Sequence, residues 1–284
     1  MNSIFELFQY QFFTNAVFAA IMASITCGII GSYIVSRRIV FISGGITHAS
    51  FGGIGIAWYM GLNPILGAAL FGVLSAFGIE WLSKKTDVRQ DSVIGILWAL
   101  GMALGIIFIY MTPGYAPNLM SFLFGNILTV GSLDLWLLLG LSILTILIFA
   151  MFLKPILYVA FDEEFAKTQR IPVHFISYLM IALVALAIVL NIRVVGIILV
   201  ISFLTIPQTI ANMFAKDFKR MIFGSIGFGL LGSFIGLLVS YKINAPSGAT
   251  IIFSFVILFV IAKLVQLSMI AIRRKEGIKG EKIG

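Results

Sequence analysis

Charged side chains are scarce in this sequence: they make up 11% of its 284 residues, whereas hydrophobic residues make up 61%. A soluble domain has about 25% charged and about 45–50% apolar residues. This composition excludes an ordinary soluble protein, because most of the surface must contact lipid or other apolar helices. The sequence therefore predicts an all-α, polytopic membrane protein.

Several kinds of chemistry are also excluded by what is missing. Cys27 is the single cysteine, so neither a disulfide framework nor a cysteine metal cage is available. No G-x-x-x-x-G-K-[S/T] motif is present, so the chain does not hydrolyse nucleotide through a P-loop. Neither G-x-S-x-G nor H-E-x-x-H occurs, and we expect no catalytic residues and no resident cofactor.

Long stretches without charge predict the membrane-spanning helices, since one span needs about 20 apolar residues. Turns are expected at Asn63-Pro64, at Thr112-Pro113-Gly114 and at Asn191-Ile192-Arg193. The stretch Leu119–Val130 is too short to span and is expected to be re-entrant or interfacial. This predicts one domain over 1–284 with eight or nine spans, near 12–36, 45–61, 64–82, 92–111, 132–153, 173–190, 194–214, 221–240 and 248–270.

The positive charges predict the orientation, because Lys and Arg are enriched in cytoplasmic loops. With the N-terminus outside, only Arg193 and Lys242 fall on the outer side, and Lys263 lies within the last span. The C-terminus and a basic tail, 271–284, are then cytoplasmic in a bacterial plasma membrane. The net charge of +8 is therefore a membrane-face charge rather than a nucleic-acid footprint. The inner residues are Arg37, Arg38, Lys84, Lys85, Arg89, Lys154, Lys167, Arg170, Lys216, Lys219, Arg220, Arg273, Arg274, Lys275, Lys279 and Lys282.

His48 lies in the most glycine-rich predicted span. Gly45, Ala49, Gly53 and Ala57 repeat every four residues and form a small stripe on which another helix can pack closely. An ionisable residue within a span is a functional hypothesis, and neutral imidazole is a common metal ligand. The alternative is a structural histidine that hydrogen-bonds to a neighbouring helix. Beside His48 on its own face lie Gly44 and Gly52.

Pro207 lies in the middle of a predicted span, where it kinks or breaks the helix. Broken membrane helices are tolerated where they are buried in protein or line a cavity, but ordinary kinks are common too.

A short amphipathic cytoplasmic helix is predicted over about 160–171, ended by Pro172. Asp162 is a suitable N-cap, and Glu163 and Glu164 occupy the first turn. Phe161, Phe165 and Ala166 are expected to share one face. Either this face docks another protein or the segment is an ordinary interfacial helix.

Five segments, in order, resemble the permeases of zinc/manganese/iron-type ABC importers. These segments are Arg37-Arg38 with Phe41 and Thr47–Gly53, Phe124–Leu128 with Asp134, Phe161–Ala166, Val195–Val200 with Pro207, and Pro246–Ala249. The resemblance covers about 12–270 and implies a type II importer-like permease that forms a homodimeric or pseudo-dimeric pore. It also implies two cytoplasmic ATPase subunits, an external metal-binding protein, and a coupling helix at Phe161–Ala166 that inserts into the ATPase.

The same resemblance assigns His48 to the pore, where several family members place a metal-contacting His and an Asp four residues before it. Here the Asp position is Gly44. The transported ion is thus expected to be bound only transiently, and imidazole without carboxylate favours zinc over manganese by ligand softness. The alternatives are a permease for a metal chelate, such as a siderophore or cobalamin, and an ion-coupled secondary transporter. The second usually needs intramembrane carboxylates, which this chain almost lacks.

Overall fold

The computed structural model describes residues 8–113, 125 and 127–281; for residues 84 and 273–281 it describes the backbone only. Over these residues all regular structure is helical, which confirms the all-α prediction. The helices are α1 (Gln11–Ser36), α2 (Val40–Tyr59), α3 (Pro64–Lys85), α4 (Gln90–Met111), α5 (Ser132–Phe161), α6 (Glu163–Thr168), α7 (Val173–Val195), α8 (Ile197–Phe203), α9 (Ile206–Phe214), α10 (Phe218–Ile243) and α11 (Ser247–Glu281).

Nine segments within these described residues are long and apolar enough to cross a membrane. Eight of them are single helices, and the ninth, Ile197–Phe214, is α8 together with α9. The re-entrant or interfacial segment predicted at Leu119–Val130 lies mostly outside the described residues; within it, Ile127–Thr129 form one 3-10 turn.

Two hydrogen bonds show which helix ends lie at the same end of the bundle. At one end, Ser36 at the close of α1 donates to Met221 near the start of α10, over 3.6 Å. At the other end, Asn15 near the start of α1 donates to the carbonyl of Val130, just before α5, over 3.1 Å. The end of α1 thus lies beside the start of α10, whereas the starts of α1 and α5 lie at the same end of the bundle.

The predicted turn at Asn191-Ile192-Arg193 is wrong, because α7 continues through Val195. Asn191 is buried and donates within the helix to the Ala187 carbonyl at 2.8 Å. Arg193 forms an ion pair with Asp134 in the first turn of α5. The chain turns instead at Gly196, whose φ of +81° is a conformation that glycine adopts without a steric penalty.

Two other helix ends differ from the predicted spans. The helix α5 passes Leu153, where the predicted span ends, and reaches Phe161; its backbone departs from helical geometry at Phe152, three residues before Pro155. The helix α11 extends beyond residue 270 into the basic tail, to Glu281. Charge marks where the apolar part of a helix ends, but the helix itself continues into the polar region.

A buried glutamine side chain satisfies a backbone carbonyl that is left without a helical partner at the break between α8 and α9. Pro207 has no N–H, so the carbonyl of Phe203, four residues earlier, loses its helical partner. The side-chain amide of Gln208 donates to this carbonyl at 2.9 Å and to the carbonyl of Cys27 in α1 at 2.7 Å. Gln208 is fully buried, so the break is stabilised inside the protein.

Candidate metal pathway and coupling helix

Glycine allows α2 to lie between α3 and α4 at very short range. A Cβ atom added to Gly52 would lie 2.9 Å from the backbone carbonyl oxygen of Gly101 in α4. A Cβ atom added to Gly53 would overlap the backbone carbonyl of Gly67 in α3 and lie 2.6 Å from the Cβ of Phe71. The backbones of α2 and its two neighbours are thus in direct contact.

The stripe of small residues predicted on α2 contacts two different helices. Its first half faces α4, where Gly45 packs on Ile94 and Ala49 contacts Gly101. Its second half, Gly53 and Ala57, packs on α3. The small residues therefore set how closely α3 and α4 pack against α2. These two helices in turn determine the surroundings of His48.

His48 is half-buried on α2, and its ring lies flat against Trp98 of α4. The ring centroids are 4.1 Å apart and the planes differ by 10°. The Nδ1 atom is buried without a hydrogen-bond partner among the residues that the structure describes. This contact differs from the hydrogen bond to a neighbouring helix that a structural histidine was expected to form.

Gly44 lies against the same tryptophan. A Cβ atom placed there would be 3.0 Å from Cζ3 of Trp98, so the indole fills the space next to this position. Gly44 supplies no carboxylate to His48, and the described part of the chain contains no group of three or more metal-binding side chains. The described residues of one subunit therefore offer the His48 imidazole but no group of three or more ligands that could enclose a metal ion.

Sequence reasoning missed Trp98, although its position was informative. Trp58, Trp81 and Trp136 lie near the ends of their helices, where tryptophan is typical of a membrane interface. Trp98 lies eight residues after Gln90, well inside α4. A tryptophan away from the interface belt needs a partner within the bundle, and here the partner is His48.

Pro207 belongs to a different part of the bundle. The helix α9 packs mainly against α10, α11 and α1, whereas His48 lies among α2, α3 and α4. A cavity of about 260 Å³ opens beside the break, lined by Thr205, Ile206, Thr209, Val256 and Phe259. The structure therefore does not unite Pro207 with His48 in one site.

The predicted coupling segment forms α6, a helix shorter than the expected 160–171. Residues 160 and 161 belong to α5, and α6 ends at Thr168, before a left-handed turn at Arg170 with a φ of 57°. Pro172 is therefore not what ends it. The side chain of Asp162 accepts a hydrogen bond from the Phe165 backbone N–H at 2.9 Å, as an N-cap does.

The expected common face of Phe161, Phe165 and Ala166 is wrong. Ala166 is completely buried, whereas Phe161 is 67% and Phe165 46% exposed. Phe165 contacts Tyr158 edge-on, with centroids 5.4 Å apart. One side of α6 is thus packed against the bundle. The rings of Phe165 and of Phe161, the last residue of α5, are exposed to solvent, as is the carboxylate of Glu164.

Arg37, at the end of α1, contacts the start of α6. Its guanidinium donates to Glu163 Oε1 at 3.0 Å and to the hydroxyl oxygen of Tyr33 at 3.1 Å. Burial lowers the pKa of Arg37, but Tyr33 and Glu163 together raise that pKa by more, so the net shift is upward. From the sequence, Arg37 was identifiable as a cytoplasmic charge and as part of a family segment, but its contact with Glu163 was not.

Comparison with protein-family models matches residues 9–266 to the ABC 3 transport family. The chain belongs to this family. Among its relatives, an uncharacterized membrane protein of Synechocystis is 40% identical over 96% of this chain and 95% of that protein. The manganese transport system membrane protein MntC of Listeria innocua is 36% identical over 91% of this chain and 92% of its own length.

A solved structure of another protein has a similar fold. A chain of PsaBC from Streptococcus pneumoniae, in complex with Fab, is similar with a TM-score of 0.81 and 33% identity, over 91% of this chain and 93% of that chain. The resemblance to ABC permeases drawn from the five segments is thereby confirmed. Membership also excludes an ion-coupled secondary transporter.

Proposed function

We propose that this ABC 3 family permease is the membrane-spanning subunit of an importer for divalent metal ions, with manganese as the preferred ion. The observation that carries the proposal is full-length similarity to the Listeria innocua protein named as a manganese transport component. Manganese takes precedence over the zinc expected from ligand softness, because a single imidazole per subunit is too little to select a metal.

Two features of His48 support a pathway role: the residue is only partly buried, and its Nδ1 atom has no hydrogen-bond partner among the described residues. In a homodimer, two such residues would present two imidazoles to the ion, and water would complete its coordination shell. Closed structural metal sites use four protein ligands and hold the ion tightly. Two ligands suit transient binding, which a conducting pathway requires because the ion must also leave.

The exposed face of α6 supports docking of a cytoplasmic ATP-hydrolysing subunit. This chain has no P-loop, so ATP hydrolysis must occur on a partner. Two exposed aromatic rings, Phe161 and Phe165, offer the kind of anchor that dominates protein interfaces. On the opposite side of the membrane, an external metal-binding protein would deliver the ion.

The orientation proposed is N-terminus outside and C-terminus cytoplasmic. One of the two basic exceptions on the outer side, Arg193, is neutralised by its ion pair with Asp134. We expect a cysteine at position 242 to react with a membrane-impermeant reagent added to intact cells, and a cysteine at the exposed position 219 to remain unlabelled. The reverse labelling pattern would contradict this orientation.

Ion-by-ion stimulation of ATP hydrolysis tests the proposed substrate. The chain would be purified with its ATPase, placed in lipid vesicles with the external binding protein, and supplied with one metal ion at a time. Manganese is expected to stimulate hydrolysis most, and zinc less. Stimulation by a siderophore or cobalamin but by no free ion would instead favour the chelate permease.

A further inference from the structure

The side chain of Arg37 joins the membrane core to the coupling helix. Tyr33, which receives one of its hydrogen bonds, is 1% exposed and belongs to the hydrophobic core. Glu163, which receives the other, is the first residue of α6. Among side chains that the structure describes, this is the one ion pair that connects α6 to a membrane-spanning helix.

Both charges lie where the helix dipoles favour them. Arg37 is the C-cap of α1, at the negative end of that helix, and Glu163 occupies the positive end of α6. The pair is partly shielded, with side-chain exposures of 22% and 34%. It is therefore less exposed than the pair of Arg220 with Asp217, whose side chains are 67% and 51% exposed.

The turn after Arg37 connects this ion pair to the candidate pathway. Arg38 takes a left-handed conformation with a φ of 59°, and the N–H of Ile39 donates back to the carbonyl of Ile34 at 3.1 Å. These bonds close α1 tightly, and α2 begins at Val40. His48 lies eight residues farther along α2, about 12 Å at the helical rise.

The helix α6 has a second attachment that does not involve Arg37. Ala166 is buried, and its carbonyl accepts from the N–H of Ile171 at 3.1 Å, while Phe165 packs on Tyr158 of α5. These contacts hold α6 to its own sequence neighbours, α5 and α7. Without the ion pair, α6 would still fold and remain in place, but it would lose its link to α1.

We propose that the Arg37–Glu163 ion pair is a positioning link that transmits displacement of α6 to the α1–α2 turn, and thus to the helix that carries His48. The proposal rests on the function proposed above, in which an ATPase subunit docks on α6. When the ATPase moves α6, the charge-assisted hydrogen bond between Arg37 and Glu163 moves the end of α1 with it. Hydrolysis is then coupled to a change at the pathway.

The test compares ATP hydrolysis and manganese uptake in the same vesicles, for Arg37→Gln, Glu163→Gln and the charge swap Arg37→Glu/Glu163→Arg. In each single variant, the number of manganese ions transported per ATP hydrolysed is expected to fall at least fivefold. The swap is expected to recover part of this loss; recovery is incomplete because the reversed charges oppose the helix dipoles. Arg220→Gln, which breaks the exposed pair with Asp217, is the matched control and should match wild type.

An unchanged transport-to-hydrolysis ratio in Glu163→Gln would overturn the link, as would a charge swap no better than the single variants. Glu163 is on the cytoplasmic helix, so this variant keeps the test valid even if Arg37→Gln folds poorly. The docking proposal has its own control: Phe161→Ala/Phe165→Ala should lose the ATPase on purification. If that double variant keeps a fully active ATPase, docking on α6 is wrong, whatever the Arg37 variants do.

Discussion

Replacing His48 with alanine is expected to slow ATP-driven manganese uptake at least tenfold while the amount of protein in the membrane stays close to wild type. Each subunit would lose the imidazole that lines the proposed pathway, and Gly44, one helical turn earlier, has no carboxylate to replace it. A tenfold change corresponds to about 1.4 kcal/mol of transition-state free energy, a modest value for the loss of a metal ligand. Folding should survive, because no hydrogen bond of His48 to a described residue is lost.

The sequence has one other histidine, which provides a matched control. His174 is exposed in the first turn of α7, so His174→Ala should transport at the wild-type rate. Both variants would be measured as initial uptake rates in cells that lack other manganese importers, with membrane levels determined by immunoblotting. Wild-type uptake by His48→Ala would remove this residue from the pathway and leave stacking on Trp98 as its role.

Replacing Gly53 with alanine is expected to destabilise the protein severely. The added methyl group would overlap the Gly67 carbonyl, and a backbone atom cannot move aside as the end of a side chain can. Overpacking in a well-packed core costs about 1–3 kcal/mol, and occasionally more. Because both helices present backbone here, we expect the upper end of this range, about 3 kcal/mol, and a clear fall in melting temperature in detergent.

Gly95→Ala provides the control for the glycine prediction. Gly95 also lies in a spanning helix, α4, but apart from the adjacent part of that helix no described atom lies within 4 Å of the position its Cβ would occupy. Alanine in a helix is favoured over glycine by about 0.5–1 kcal/mol, so this variant should be neutral or slightly stabilised. Equal melting temperatures for the two variants would show that the close α2–α3 contact does not limit stability.

The uncharged apolar runs predicted eight or nine spans, and the described residues contain nine candidate spans, because the membrane imposes one strong rule on all of them. Each span needs a long apolar run, and charged residues collect at its ends. The ends themselves depend on tertiary contacts. Asn191 and Arg193 resemble a turn in the sequence, but the helix continues because Arg193 meets Asp134 from a distant segment.

The candidate site was predicted only in part for the same reason. His48 was identifiable as an ionisable residue in a glycine-rich span, but the stacking of Trp98 depends on how α2 lies along α4. That register is set by glycine contacts, such as Gly52 with Gly101, whose pairing no local pattern specifies. Likewise, Ala166 was placed on one face with Phe161 and Phe165, but Ala166 is buried by the bundle whereas both rings are exposed.

The most direct measurement of the central claim is ATP-driven uptake of radioactive manganese into vesicles containing this chain, its ATPase and the external binding protein. Two preparations would be compared, wild type and His48→Ala, each with ATP and with a non-hydrolysable analogue. The account predicts accumulation above the external concentration only for wild type with ATP, and at most a tenth of that initial rate for His48→Ala. Equal accumulation by both preparations, or none by wild type while a metal chelate accumulates, would contradict it.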